Sequence, residues 1–118
     1  MSRKYSITKS FGFALSGIRE GFREEPNFKI HFSFALAALI LAATLGFSLI
    51  EWLILAITIT LVLVLELINT SVEAIVDLLS PEAKSAAKVA KDVSAAAVFL
   101  AAILSVIVGL VLFGQYIN

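Results

Sequence analysis

Polar residues recur at regular spacing in the middle of an otherwise apolar stretch: Glu66, Asn69, Glu73 and Asp77. On an α-helix, with 100° of rotation per residue, their spacing confines them to an arc of about 80°. Carboxylate and amide oxygens are the ligands that hard cations such as Mg²⁺ prefer, and Mg²⁺ commonly accompanies phosphate groups. The spacing therefore predicts a polar stripe on one helix face that could bind a metal–phosphate substrate.

Further charged residues could join this polar stripe. Lys91 and Asp92 open the next apolar stretch, and Glu25 stands immediately before Pro26. The chain has no Cys and a single His, so thiolate and multi-histidine metal sites are excluded. His31, at the border of an apolar run, is interpreted as an interfacial or hydrogen-bonded residue rather than a ligand. Carboxylates together with lysines favour phosphoryl transfer with Mg²⁺.

The composition indicates that these residues are positioned within a membrane. Of 118 residues, 60% are hydrophobic and 15% are charged, whereas soluble domains have about 45–50% apolar and about 25% charged residues. Lys and Arg balance Asp and Glu at nine each, for a formal net charge of zero. This balance removes the basic surface that a nucleic-acid partner would need.

Three apolar segments, over residues 30–50, 51–79 and 87–114, are long enough to cross about 30 Å of hydrocarbon, which takes roughly 20 helical residues. Residues 1–29 are amphipathic instead, and the chain is expected to turn into the membrane near Pro26. Their apolar positions follow a helical period: Ile7, Phe11, Ala14, Ile18 and Phe22. The prediction is an all-α integral membrane protein with an N-terminal interfacial helix and three transmembrane helices.

All nine basic residues lie in the N-terminal segment or within residues 80–91. The positive-inside rule then predicts a cytoplasmic N-terminus and a cytoplasmic loop over residues 80–91. Glu66 would lie in the inner part of the bilayer, about 22 Å along the helix from Glu51, with Glu73 and Asp77 near the cytoplasmic boundary. Acidic residues at such depth usually face a functional interior. The alternative is a neutralised carboxylate that serves helix association.

Residues 66–77, followed by Ala90, Lys91 and Asp92, resemble the prokaryotic diacylglycerol kinase family, whose pattern is E-x-x-N-[ST]-[SA]-x-E-x-x-V-D with A-K-D downstream. The resemblance extends from about Ser10 to Phe113. Residues 23–31 are similar to the R-x-E-x-N-F-x-x-H of the Gram-positive branch, whose members phosphorylate undecaprenol.

The resemblance implies a homotrimer with active sites shared between subunits, in the bacterial plasma membrane with the site at its cytoplasmic face. It also implies ATP as co-substrate, Mg²⁺ as cofactor and a membrane lipid alcohol as acceptor. By position, the resemblance implies a general base at Glu66, Mg²⁺ ligands at Glu73 and Glu25, and nucleotide-site residues at Asn69, Asp77, Lys91 and Asp92.

Two alternatives stay open. Diacylglycerol could be the acceptor in place of undecaprenol. A non-enzymatic membrane protein or channel would explain intramembrane carboxylates, but not the Lys91–Asp92 pair or the spacing of Asn69.

Overall fold

The computed structural model describes residues 6–82 and 84–117, and in this part of the chain the secondary structure is entirely α-helical. The helices are α1 (Ile7–Glu24), α2 (Pro26–Leu45), α3 (Leu49–Leu79) and α4 (Ser85–Gly114). α2, α3 and α4 are each long and apolar enough to cross a membrane. The predicted all-α membrane architecture is confirmed, whereas residues 1–5 of the predicted first helix lie outside the described residues.

The border between the first two helices lies at Glu25, next to the turn expected near Pro26, so residues 26–29 of the predicted N-terminal segment belong to α2. Glu25 has an extended backbone, with φ −119° and ψ 103°, and Pro26 occupies the first turn of α2. A proline disfavours helical geometry in the residue before it but fits the first helical position, where no amide donor is needed. Glu25 is therefore held at the corner where α1 meets α2.

The tight turn between α2 and α3 occupies residues 46–48. α2 ends at Leu45, not at residue 50, because Gly46 adopts a left-handed conformation with φ +74°. α3 begins at Leu49 rather than at residue 51, since Ser48 and Glu51 form a reciprocal capping box. α4 likewise begins at Ser85 rather than at residue 87, within a run of strong helix-forming residues.

α3 is the central helix and packs along α4, with α2 beside it and α1 against its C-terminal part. At the end of the bundle opposite the polar stripe, Phe47 is buried and its ring stacks on Tyr116, with centroids 5.4 Å apart. The Tyr116 hydroxyl donates a hydrogen bond to Glu51 of α3. These contacts fix the α2–α3 turn and the end of α4 to each other.

The outward faces of the helices carry large apolar side chains. Phe34 of α2, Leu61 of α3 and Leu110 of α4 are all exposed within the single chain. Such contiguous apolar surface suits contact with lipid or with other protein chains. α1 also exposes Ile7 and Phe11, consistent with its amphipathic sequence.

Candidate active site

Glu66 is the most deeply buried ionisable residue in the described part of the chain, with 2% of its surface exposed. It lies on α3, and its Oε1 atom is 3.3 Å from Nε2 of His31 on α2. A buried carboxylate is costly without a hydrogen-bonding partner. The α2–α3 crossing places the His31 imidazole within 3.3 Å of this carboxylate, a contact that the sequence spacing within α3 does not contain.

The polar stripe becomes more accessible toward the end of α3. Asn69, one turn beyond Glu66, is also buried, and Glu73 is half-buried. The Asp77 side chain is 65% exposed. The stripe thus runs from a water-excluded carboxylate to a solvated one, a gradient that suits a site joining a lipid to a water-soluble substrate.

The Oδ1 atom of Asn69 is buried, and within residues 6–82 and 84–117 it has no hydrogen-bond partner. Buried acceptors are rarely left unsatisfied, because each costs about 1–3 kcal/mol. Its position between Glu66 and Glu73 makes it available to a ligand's donor or to a cation.

Glu25 is held close to this stripe by the packing of α1 and α2. Gly21 of α1 is buried against α3, and Phe22 contacts Phe28 and Phe32 edge-on, with ring centroids 4.9 and 4.8 Å apart. Burial, followed by the negative charge of Glu73, raises the pKa of Glu25 above its ordinary value. A cation bound beside these two carboxylates would stabilise their negative charges.

This donor set fits Mg²⁺ held jointly with phosphate. No cluster of three or more acidic or histidine side chains close enough to enclose a metal occurs among the described residues. Mg²⁺ in nucleotide sites is commonly bound by one or two carboxylates plus substrate phosphates and water. Glu25 and Glu73 match that arrangement, and the unpartnered Asn69 oxygen lies on the same face of α3.

Lys91 and Asp92 have different neighbours. The Lys91 ammonium donates to Oδ1 of Asp77 at 2.8 Å, so α4 contributes a cation beside the exposed end of the stripe. Asp92 instead accepts from Lys88 on its own helix, at 2.6 Å, with 63% of its side chain exposed. The structure therefore joins Lys91 to the stripe and does not bring Asp92 to a residue of α3.

A cavity of about 360 Å³ opens between α2, α3 and α4. Its lining is largely apolar, with the hydroxyls of Thr58 and Ser105 part of the way along and Phe113 at the far end. His31 is the one ionisable side chain that lines it among the described residues. The cavity thus leads from an apolar compartment to the imidazole that contacts Glu66.

His31 is the residue of this site that the sequence interpretation undervalued. The signal available was its place in the R-x-E-x-N-F-x-x-H pattern of residues 23–31. The spacing along one helix could not reveal the contact, because His31 and Glu66 lie on different helices. Their contact depends on how α2 and α3 are aligned where they cross.

Comparison with known proteins identifies relatives across nearly the whole chain. A family model described as prokaryotic diacylglycerol kinase matches residues 12–113. An undecaprenol kinase of Bacillus subtilis is 43% identical over 105 residues, covering 89% of this chain and 85% of that protein.

Relatives named as diacylglycerol kinases are also similar. One from Synechocystis is 43% identical over 105 residues, covering 88% of this chain and 60% of that protein. One from Escherichia coli K12 is 32% identical over 101 residues, covering 86% of this chain and 83% of that protein. Both groups of relatives are named as kinases, and the lipids in their names differ.

Proposed function

Because the chain belongs to the prokaryotic diacylglycerol kinase family and is therefore a lipid kinase, we propose that it phosphorylates undecaprenol with ATP at the cytoplasmic face of the membrane. The acceptor proposal is supported by the similarity to the Bacillus undecaprenol kinase over most of both chains. It is also supported by the pattern over residues 23–31. Diacylglycerol is the second candidate, favoured by the names of the Synechocystis and Escherichia coli relatives.

The observation that carries this proposal is the burial of Glu66 beside an apolar cavity that reaches His31. Glu66 stands about 26 Å along α3 from Leu49, which is within the thickness of a hydrocarbon layer of about 30 Å. A carboxylate at this depth can meet the hydroxyl of a lipid whose chain stays in the bilayer. A water-soluble acceptor would not enter the hydrocarbon layer to this depth.

In the proposed reaction, Glu66 acts as the general base. Its carboxylate takes the proton of the lipid hydroxyl while that oxygen forms a bond to the γ-phosphorus and the bond from phosphorus to the β-bridging oxygen breaks. ADP leaves with the electron pair of the broken bond. Burial keeps water away from Glu66, and this favours the lipid hydroxyl over water as the nucleophile.

Glu25 and Glu73 are proposed to hold Mg²⁺, which when bound would offset the charge of the transferring phosphoryl group. Asn69 would orient the phosphate or the metal through its unpartnered oxygen. Lys91 would contact the nucleotide's phosphates, with Asp77 holding its ammonium in place. Asp92, exposed at the start of α4, would contact the nucleotide from the water side.

The proposed assembly is a homotrimer with α1 lying in the membrane interface and active sites shared between subunits. The exposed apolar residues of α1 support the interfacial placement. The uncovered apolar face of α3, which includes Ala56, Thr60 and Leu61, supports contact with another copy of the central helix.

The test is phosphate transfer by the purified protein in lipid nanodiscs containing either undecaprenol or diacylglycerol, with ATP labelled at the γ-phosphate. We expect labelled undecaprenyl phosphate, with a kcat/KM at least tenfold higher than for diacylglycerol. Preference for diacylglycerol would reverse the acceptor assignment. Glu66→Gln serves as the inactive control, because the amide keeps the shape of the side chain but cannot accept the proton.

A further inference from the structure

The contact between His31 and Glu66 is the sole polar side-chain contact of the Glu66 carboxylate within residues 6–82 and 84–117. The nearby Thr70 hydroxyl is occupied elsewhere, since it donates to the main-chain oxygen of Glu66 at 3.0 Å. The His31 imidazole on α2 thus contacts the Glu66 carboxylate on α3.

His31 differs from Glu66 in its accessibility. The His31 side chain is 26% exposed, while that of Glu66 is 2% exposed. His31 also lines the apolar cavity between α2, α3 and α4. It therefore lies between the compartment suited to a lipid chain and the buried carboxylate.

We propose that His31 is a positioning residue for phosphoryl transfer, in which its Nε2–H group donates to Oε1 of Glu66 and leaves Oε2 free to accept the proton of the lipid hydroxyl. This inference rests on the proposed function, because it concerns the same reaction and the same base. The chemistry follows from the valence of the two groups. A neutral imidazole has one N–H donor, and a carboxylate has two oxygens, so one oxygen is anchored while the other keeps its lone pairs.

A carboxylate without this anchor would rotate about its terminal torsion and lose its alignment with the hydroxyl. Misplacement of a reacting group by about 1 Å can reduce a rate on the order of 10²-fold. The effect of removing the anchor should therefore appear in kcat more than in the KM for either substrate.

The competing interpretation is that His31 only joins α2 to α3. If His31 only held the two helices together, its substitution would affect folding and all kinetic constants together, whether or not residue 66 can accept a proton. A positioning role has an effect only while a base is present at position 66. This difference makes the two roles separable by a double-mutant cycle.

The experiment compares His31→Leu, His31→Gln and His31→Asn in nanodiscs with undecaprenol and MgATP. The amide nitrogen of Gln can take the place of Nε2, whereas the shorter Asn reaches only the place of Nδ1. We expect kcat to fall on the order of 10²-fold in His31→Leu and His31→Asn, and Gln to restore it to within about tenfold of wild type. Ser33→Ala, an exposed change on α2 whose hydroxyl bonds only to the Lys29 carbonyl, is the control expected to retain normal kinetics.

The cycle is completed by adding each substitution to Glu66→Gln. In that background, His31→Leu should change the residual rate by less than about twofold, because no proton acceptor remains to be positioned. An equal loss in both backgrounds would overturn the inference, as would a normal kcat in His31→Asn. If His31→Leu does not fold, the Gln and Asn pair still decides the question, since both are polar and similar in size.

Failure of the inference differs from failure of the proposed function. A wild-type protein that phosphorylates undecaprenol while the His31 variants keep its kcat overturns the role of His31 alone. A wild-type protein that phosphorylates neither lipid overturns the proposed function and this inference with it.

Discussion

Gly21 of α1 approaches Leu67 of α3 so closely that a Cβ added to Gly21 would lie 2.9 Å from the Cδ2 atom of Leu67. Leu67 directly follows Glu66, the proposed base, and Gly21 lies one helical turn before Glu25. The close approach of α1 to α3 thus brings a proposed metal ligand toward the polar stripe. Limited space, and not backbone conformation, favours glycine at this position.

Gly21→Val should therefore separate α1 from α3. Overpacking of this kind costs about 1–3 kcal/mol, and displacement of Glu25 should lower kinase activity at least tenfold. Gly21→Ala should be milder, because the single methyl group is crowded only by the flexible end of Leu67 and meets the Phe28 ring at an ordinary contact distance of 3.6 Å. Measured Tm and activity should be near wild type in Gly17→Val, since a Cβ at Gly17 has no neighbour within 4 Å. Equal losses at both glycines would mean that helix propensity, and not packing, determines the effect.

The polar stripe could be predicted from the sequence because helical spacing alone determines which residues share a face. The burial of Glu66 at one end and the exposure of Asp77 at the other follow from the order of apolar and polar residues along α3. The contact of His31 with Glu66 depends on the relative alignment of α2 and α3 where they cross. That alignment cannot be predicted from a single sequence. The pairing of Asp92 with Lys88 was missed for a different reason, since local i,i+4 attraction competes with longer-range contacts.

The helix boundaries differed from prediction where caps decide them. Pro26 begins α2 and Gly46 ends it, so both limits follow from backbone chemistry that apolar periodicity does not report. Ser48 and Glu51 begin α3 through paired hydrogen bonds. The uncharged segments of the sequence therefore predicted where the spans lie, but not the residues at which each helix begins and ends.

Glu25→Gln should raise thermal stability at neutral pH while lowering activity. Since burial and neighbouring carboxylates raise the pKa of Glu25 in the folded protein, its contribution to stability is favourable below the unfolded pKa and is lost as pH rises through the folded pKa. The amide removes this charge repulsion at pH 7.5. Melting in detergent without Mg²⁺ should show a higher Tm than wild type at pH 7.5 and no gain near about pH 4. A lower Tm at pH 7.5 would contradict the electrostatic account of this corner.

Lys91→Gln should weaken MgATP binding. Loss of a charge-assisted hydrogen bond costs about 1.5–3 kcal/mol, which corresponds to a rise in KM for MgATP of roughly 10- to 160-fold, with the KM for lipid little changed. Lys84→Gln makes the same charge change before α4, and the Lys84 side chain has no polar contact among the described residues. The KM of this variant for MgATP should stay within about twofold of wild type. An unchanged KM in Lys91→Gln would remove Lys91 from the nucleotide site.

The proposed orientation predicts which residues are accessible from each side of the membrane. The chain contains no Cys, so single cysteines at the exposed positions Ser85 and Gln115 report on opposite ends of α4. An impermeant thiol reagent should label Ser85→Cys in inverted vesicles and Gln115→Cys in intact cells. Labelling of Ser85→Cys from outside would put the polar stripe on the side without ATP.

The division of roles between Glu66 and Glu73 tests the account most directly. Glu66 is seven residues deeper on α3, about 10 Å along the axis, and faces His31, whereas Glu73 lies beside Glu25 and nearer the water. Titration of a non-hydrolysable MgATP analogue into both glutamine variants separates a base from a metal ligand. We predict that Glu66→Gln binds the analogue as wild type does while its kcat falls by at least 10²-fold, and that Glu73→Gln binds it at least tenfold more weakly. A Glu66→Gln variant that no longer binds the analogue, beside a Glu73→Gln variant that binds it normally, would contradict the assignment.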